Sequence, residues 1–171
     1  MQTPSLRPDC SRCAALCCVA LAFDKSEHFA LDKPAGQPCP NLDTGGGCRI
    51  HAVRAERGFG GCIAYDCLGA GQRVTQEVFG GHTWLQEPDL LAAMADAFHV
   101  MTQAHRLLEL LREAKGLALS EPDQRRREEL EAAVVAAGAD SARVRALGDE
   151  TRAFLRGLSS GLPARPPRSQ A

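Results

Sequence analysis

Apolar residues recur at three- and four-residue intervals through the second half of the chain. Leu91, Met94, Phe98, Met101, His105 and Leu108 form one seam, widened by Leu107 and Leu111. That spacing stacks side chains on one face of an α-helix. Pro88 suits the first turn of such a helix, and Lys115-Gly116 suits its end. Ser120 caps a second helix, with Pro122 and Asp123 in its first turn and Leu130, Ala133, Val134 and Ala137 as its inner stripe. The run Arg125-Arg126-Arg127, followed by Glu128, Glu129 and Glu131, reads as a solvated face with pairs at three and four residues. A third helix starts near Asp140 and carries Val144, Leu147, Thr151, Phe154 and Leu158.

The first part of the chain has no comparable period. Ala14 to Phe23 is long enough for a short helix, on which Cys13 and Cys17 would share a face. Gln72 to Trp84 alternates weakly and reads as a short strand or an extended cover, anchored by Trp84. Between them lie loops rich in proline and glycine. The fold expected is mainly α: a cysteine-rich metal-binding segment with little regular structure, packed on a bundle of about three helices. The boundaries expected are a cysteine-rich module over 1–74, a helical region over 75–160 and a disordered tail over 161–171 containing Pro163, Pro166 and Pro167.

Cysteine usage changes the picture most. All eight cysteines fall before residue 68: Cys10, Cys13, Cys17, Cys18, Cys39, Cys48, Cys62 and Cys67. Cys10 and Cys13 have a spacing that lets both sulfurs face one metal. Pro38 and Pro40 stiffen the backbone on both sides of Cys39. Gly45-Gly46-Gly47 reads as a turn before Cys48, and Cys48-Arg49-Ile50-His51 sets a thiol and an imidazole three residues apart. His51 then serves as a ligand, as a donor to a bound sulfur, or as a surface histidine. His28 and His82 read as surface residues, and His105 as a buried one. Soft ligands in this density favour an iron–sulfur cluster, zinc or, less so, copper(I). The expected metal ligands are the eight cysteines with His51; a 4Fe-4S cluster would draw on Cys10, Cys13, Cys17 and Cys39. One cluster with spare thiols, two zinc sites and a polynuclear centre all fit the count. The rivals are four disulfides and unmetallated redox thiols.

The pattern C-x2-C-x3-C-C at 10–18, followed by Pro38-Cys39, Cys48-Arg49-Ile50-His51, Gly61-Cys62 and Tyr65-Asp66-Cys67, resembles the CxxCxxxCC-type (YkgJ-like) zinc- or iron-chelating domain family. From Arg12 through Val74 it resembles the cysteine-rich N-terminal region of actinobacterial pentapeptide-repeat proteins, without the repeats. The resemblance implies a ligand role for all eight cysteines and leaves their grouping open.

Charge and composition narrow the function classes. The formal net charge is -1, so no global field holds a polyanion and general nucleic-acid binding is not expected. No apolar run approaches membrane-spanning length, and no secretory signal is evident; a cytoplasmic location is expected, where dense cysteine points to metal or thiol chemistry. No nucleophile–base pair stands out. The expected function is metal binding through clustered cysteines in redox, sensing or metal handling. The alternatives are a zinc-stabilised interaction scaffold, a metal-dependent enzyme with an open coordination position, and a thiol redox switch. The helices also offer a surface for a protein partner or a homodimer.

Overall fold

The computed structural model describes residues 3–160; the tail expected over 161–171 lies outside the described residues. Among those residues are six α-helices: α1 (Leu16–Ala20), α2 (Gly60–Ala64), α3 (Ala70–Arg73), α4 (Leu91–Ala114), α5 (Glu121–Ala137) and α6 (Ser141–Ser160). The helix α4 is the spine. Met94, Phe98 and Met101 on its first half pack with Leu16, Val19 and Ala20 of α1 and with Ala70 and Val74 around α3. Its second half buries Ala104, Leu108 and Leu111 against Leu130 and Val134 of α5 and Val144 of α6. One apolar seam therefore carries both the cysteine half and the helical half.

Local chemistry sets the ends of the long helices. Pro88–Leu90 forms a 3-10 turn that leads into α4. The Ser120 hydroxyl accepts from the Asp123 amide at 3.3 Å and caps α5. Arg125 and Arg126 pair on the surface, but Arg127 does not belong to a solvated face. It is 3% exposed, and its Nη1 meets Glu131 Oε2 at 2.8 Å. Glu131 also accepts from Arg112 of α4 at 2.9 Å. This shared carboxylate fastens α5 to α4 and compensates the burial of the guanidinium.

The expectation of a cysteine segment with little regular structure is corrected. The first seventy-four residues hold three helices, and α1 and α3 are part of the packed core. Gln72 to Trp84 is not extended. From Val74 to Val78 it continues α3 as a turn of π-helix. Alternation misled here because Val74 and Thr75 are both buried while Val78 is exposed. The long connection between α1 and α2 holds one 3-10 turn (His51–Val53) and two isolated antiparallel bridges, Phe23 with Lys33 and Leu42 with Cys48. No helix among the described residues is long and apolar enough to cross a membrane.

A buried polar junction ties the halves together. Arg73 donates through Nη2 to the Val135 carbonyl at 2.8 Å and through Nε to Glu77 at 2.8 Å. Its Nη1 lies 3.5 Å from His105 Nε2, and His105 Nδ1 lies 2.5 Å from the Leu68 carbonyl. A carbonyl only accepts, so Nδ1 carries the proton and Nε2 accepts from Arg73. His105 is the satisfied buried histidine.

Two outcomes test this packing. Leu108→Ala should lower unfolding free energy by about 2–5 kcal/mol in guanidinium denaturation. Burial, then the charges of Arg73 and Arg112, push the His105 imidazole below its ordinary 6.5, against the Leu68 carbonyl and Glu77. The folded state then binds fewer protons than the unfolded chain below that value. This part of the stability is complete above about pH 6.5 and lost as the pH falls below it. Urea midpoints between about pH 7.5 and pH 5 should show that decline, and His105→Gln should flatten it; an unchanged slope refutes the assignment.

Candidate functional site

Seven of the eight cysteines line one cavity of about 760 Å³: Cys10, Cys13, Cys17, Cys18, Cys39, Cys48 and Cys62. They arrive on several separate pieces of backbone. Cys10 opens a 3-10 turn (Cys10–Arg12) capped by the Asp9 side chain, which accepts from the Ser11 amide. Cys17 and Cys18 sit on α1, and Cys62 sits on α2. Cys39 lies between its two prolines, and its amide bonds the Cys18 carbonyl at 3.0 Å. The glycine turn before Cys48 closes on Asp43, whose Oδ1 accepts from the amides of Gly45 and Gly47 at 2.8 Å each.

Cys13 is not on the helix with Cys17. It precedes a left-handed residue, Ala15, at φ 54, and α1 begins only at Leu16. A left-handed alanine costs about 1–2 kcal/mol; it is held because both polar atoms of Ala14 are tethered. The Ala14 amide donates to Thr75 Oγ1 at 3.0 Å, and the Ala14 carbonyl accepts from Trp84 Nε1 at 2.7 Å. Trp84 thus anchors the cysteine turn itself. The reversal aims the amides of Leu16 and Ala15 at the Cys13 sulfur. Gly71 of α3 packs against that sulfur, so a methyl group there would sit 2.5 Å from Cys13 Sγ.

The remaining wall is apolar. Phe23 and Phe29 stack at 4.2 Å, and Phe59 meets both edge-on at 6.3 and 6.5 Å. Gly61 permits this, since a side-chain carbon there would lie 2.3 Å from the Phe29 ring. Tyr65 also lines the cavity. Its hydroxyl is buried, and burial pushes its pKa up to about 12. His28 and His51 are exposed at the rim. His82 lies apart from the cavity, exposed and paired with Glu87 at 2.6 Å.

The charges that act on the sulfurs differ from one to the next. Cys67 lies outside the cavity lining, yet its charge raises Cys10, Cys13 and Cys17. Cys13, Cys17 and Cys67 all pack against the core around α4. Cys39 and Cys62 instead respond to Cys18 and Cys48. Burial, the largest cause, raises Cys13 to about 11 and moves Cys10, Cys39 and Cys62 upward. Cys18 runs the other way. Its sulfur lies 4.0 Å from that of Cys17, and the hydrogen bond with Cys17 lowers it, helped by Lys33 and Arg54 against burial. The same bond raises Cys17, as do burial and the Cys18 charge.

Lys33 and Arg54 carried no sequence signal, being single cations in irregular segments. Lys33 is 3% exposed. Its Nζ donates to the carbonyls of Val19 at 3.2 Å, Pro34 at 3.0 Å and Gln37 at 2.9 Å. Three carbonyls satisfy an ammonium, and this one faces Cys17, Cys18 and Cys39. Arg54 donates to the His51 carbonyl at 2.9 Å and reaches the Cys62 carbonyl at 3.4 Å.

The metal expectation is corrected at this point. Among the described residues, no three cysteine, histidine, aspartate or glutamate side chains form a group that could hold a metal ion. Sulfurs around one zinc lie about 3.8 Å apart, from a Zn–S bond of about 2.3 Å; these sulfurs line the walls of a cavity of about 760 Å³. The 4Fe-4S cluster on Cys10, Cys13, Cys17 and Cys39 is corrected with it, as are zinc and copper(I) on the eight cysteines and His51. The zinc-stabilised scaffold and the metal-dependent enzyme fall on the same ground. So does the resemblance to the CxxCxxxCC-type chelating domain. No family model matches the chain, and no solved structure matches it. The eight cysteines stand as free thiols.

The site therefore defines a class, a helical protein with a thiol-lined cavity, rather than a metal centre. A relative is the Bacillus subtilis (strain 168) protein bearing the name "Uncharacterized protein YybG". The chain is 44% identical to it over 117 residues, which are 68% of this chain and 42% of that protein. The chain thus spans less than half the length of this relative.

The close approach of Gly71 to Cys13 predicts that Gly71→Ala will destabilise the fold. Alanine favours a helix over glycine by roughly 0.5–1 kcal/mol. Overpacking against the sulfur costs about 1–3 kcal/mol and should win. Denaturation midpoints should fall, and Cys13 should react faster with iodoacetamide.

Proposed function

We propose that this chain is a thiol-redox protein whose cysteine-lined cavity cycles between free thiols and disulfides. The observation that carries this reading is the convergence of seven free cysteines on one largely apolar cavity, with an adjacent sulfur pair at 4.0 Å. Residues 1–74 are the redox module, and 75–160 are the scaffold that holds it. Cys10, Cys13, Cys17, Cys18, Cys39, Cys48, Cys62 and Cys67 are its thiols, and His51 is a rim residue. In each turn two thiols reduce one low-molecular-weight disulfide: the protein gains one S–S bond and two small thiols leave with both electrons and both protons. A reducing compartment such as the cytoplasm suits this cycle, since it returns the protein to the thiol form. Exposed Leu110 of α4 and Leu117 just beyond it are the apolar positions at which a protein partner or a second copy would seat.

Lys33 and Arg54 face Cys18 while burial opposes ionisation of Cys13. Thiolate, not thiol, attacks. At about pH 7.5, iodoacetamide should modify Cys18 at least about tenfold faster than Cys13, as read by peptide mass spectrometry. Glutathione disulfide should form intramolecular disulfides that dithiothreitol reverses. No disulfide at any glutathione ratio in folded protein overturns the reading. So does purified protein with stoichiometric bound metal that must be stripped before any thiol reacts.

A further inference from the structure

Two cysteine pairs share a direct backbone hydrogen bond, Cys10 with Cys13 and Cys18 with Cys39, and a buried lysine is laced into the backbone of the second. The segment 33–39 is laced to the end of α1 by three hydrogen bonds, and a fourth, from Lys33, braces the segment itself. The Gly36 amide donates to the Val19 carbonyl at 2.9 Å, and the Cys39 amide donates to the Cys18 carbonyl at 3.0 Å. Lys33 Nζ donates to the Val19 carbonyl at 3.2 Å on one side and to the Gln37 carbonyl at 2.9 Å on the other. The bond from the Cys39 amide to the Cys18 carbonyl sets the two cysteine backbones side by side, as a disulfide requires, since it bridges Cα atoms about 4.4–6.8 Å apart.

Cys17 has the nearer sulfur to Cys18, yet it is the poorer partner. Adjacent residues have Cα atoms about 3.8 Å apart, below the disulfide span, and α1 fixes both on a helix. Cys17 is therefore a hydrogen-bonding neighbour of Cys18 rather than its disulfide partner. Cys48 and Cys62 also face Cys39. Neither has a backbone hydrogen bond to Cys18 or Cys39, whereas Pro38 and Pro40 stiffen the chain that presents Cys39.

On the thiol-redox reading above, we infer that Cys18 and Cys39 are the redox pair of the cavity, with Cys18 the attacking sulfur, Cys39 the resolving one and Lys33 the residue that positions both. The substrate class is a low-molecular-weight disulfide. The Cys18 thiolate attacks one sulfur of that disulfide, forming a mixed disulfide and expelling one small thiolate, which takes a proton. Cys39 gives its proton to solvent and attacks the Cys18 sulfur. The Cys18–Cys39 bond forms, the mixed disulfide breaks and the second small thiol leaves. Two electrons pass from the protein to the substrate. The three donors of Lys33 are occupied by carbonyls and its charge acts on both sulfurs, so it stabilises each thiolate in turn without moving.

The test uses the reduced full chain, treated anaerobically with stepped ratios of glutathione disulfide, quenched with acid and mapped by peptide mass spectrometry. The first intramolecular disulfide should join Cys18 to Cys39. Cys39→Ser should trap Cys18 as a glutathione adduct that persists at least tenfold longer. Cys18→Ser should abolish both products at low oxidant. Lys33→Met should slow the first step at least tenfold at neutral pH and move its pH profile upward, with Lys33→Arg restoring much of the rate. Should Lys33→Met not fold, the Cys39→Ser trap still decides the pairing. A first disulfide between other cysteines overturns this pair and leaves the thiol-redox reading standing; no disulfide at all overturns both. A Lys33→Met profile that does not move overturns the role given to Lys33.

Discussion

Arg73 is the point through which the two halves of the molecule are joined. A buried guanidinium is costly unless its donors are satisfied. Here they reach Glu77 on the same turn, His105 on α4 and the end of α5 at Val135. His105 passes the connection on to the Leu68 carbonyl, just beyond Cys67. Shifting either half would leave several buried polar atoms unpaired at once. The cysteine segment therefore has one placement on the helices, and the cavity inherits its shape from that placement.

The same physics recurs around the cavity. A connection with only one 3-10 turn and two isolated bridges leaves many backbone groups without a ladder. Side chains supply the missing partners: Lys33 for three carbonyls, Thr75 and Trp84 for the two ends of Ala14, and Asp43 for the glycine turn. These groups act on architecture and on electrostatics together. Lys33 closes the end of α1 and also sets a positive charge beside Cys18 and Cys39. The packing that orders the segment thus differentiates its thiols.

Burial and charge work against each other in the cavity, and their balance differs sulfur by sulfur. Cys13 packs against the core and Gly71, and burial wins there. Cys18 lies at similar depth but has a hydrogen-bonding thiol neighbour and two cations, and it moves the other way. Chemically identical residues in one short stretch acquire different reactivity because the stretch folds around unlike neighbours.

The long helices were written in the sequence by local rules. The seam from Leu91 to Leu111, the cap at Ser120 and the glycine near residue 116 depend on spacing within one element, and α4 and α5 follow them. The confinement of cysteines to the first part of the chain, and the stiff backbone around Cys39, were legible in the same way. What the cysteines do together was not. Their spacing suggested closure around a metal, whereas the tertiary structure spreads them over a cavity wall; the left-handed turn at Ala15 takes Cys13 off the helix expected to hold it. Lys33, Arg54 and the aromatic wall left no local signature, because their roles exist only between segments distant in sequence. Periodicity encodes which face of an element is buried. Only the folded chain decides which sulfur meets which cation, since that depends on distances between backbones that no local spacing specifies.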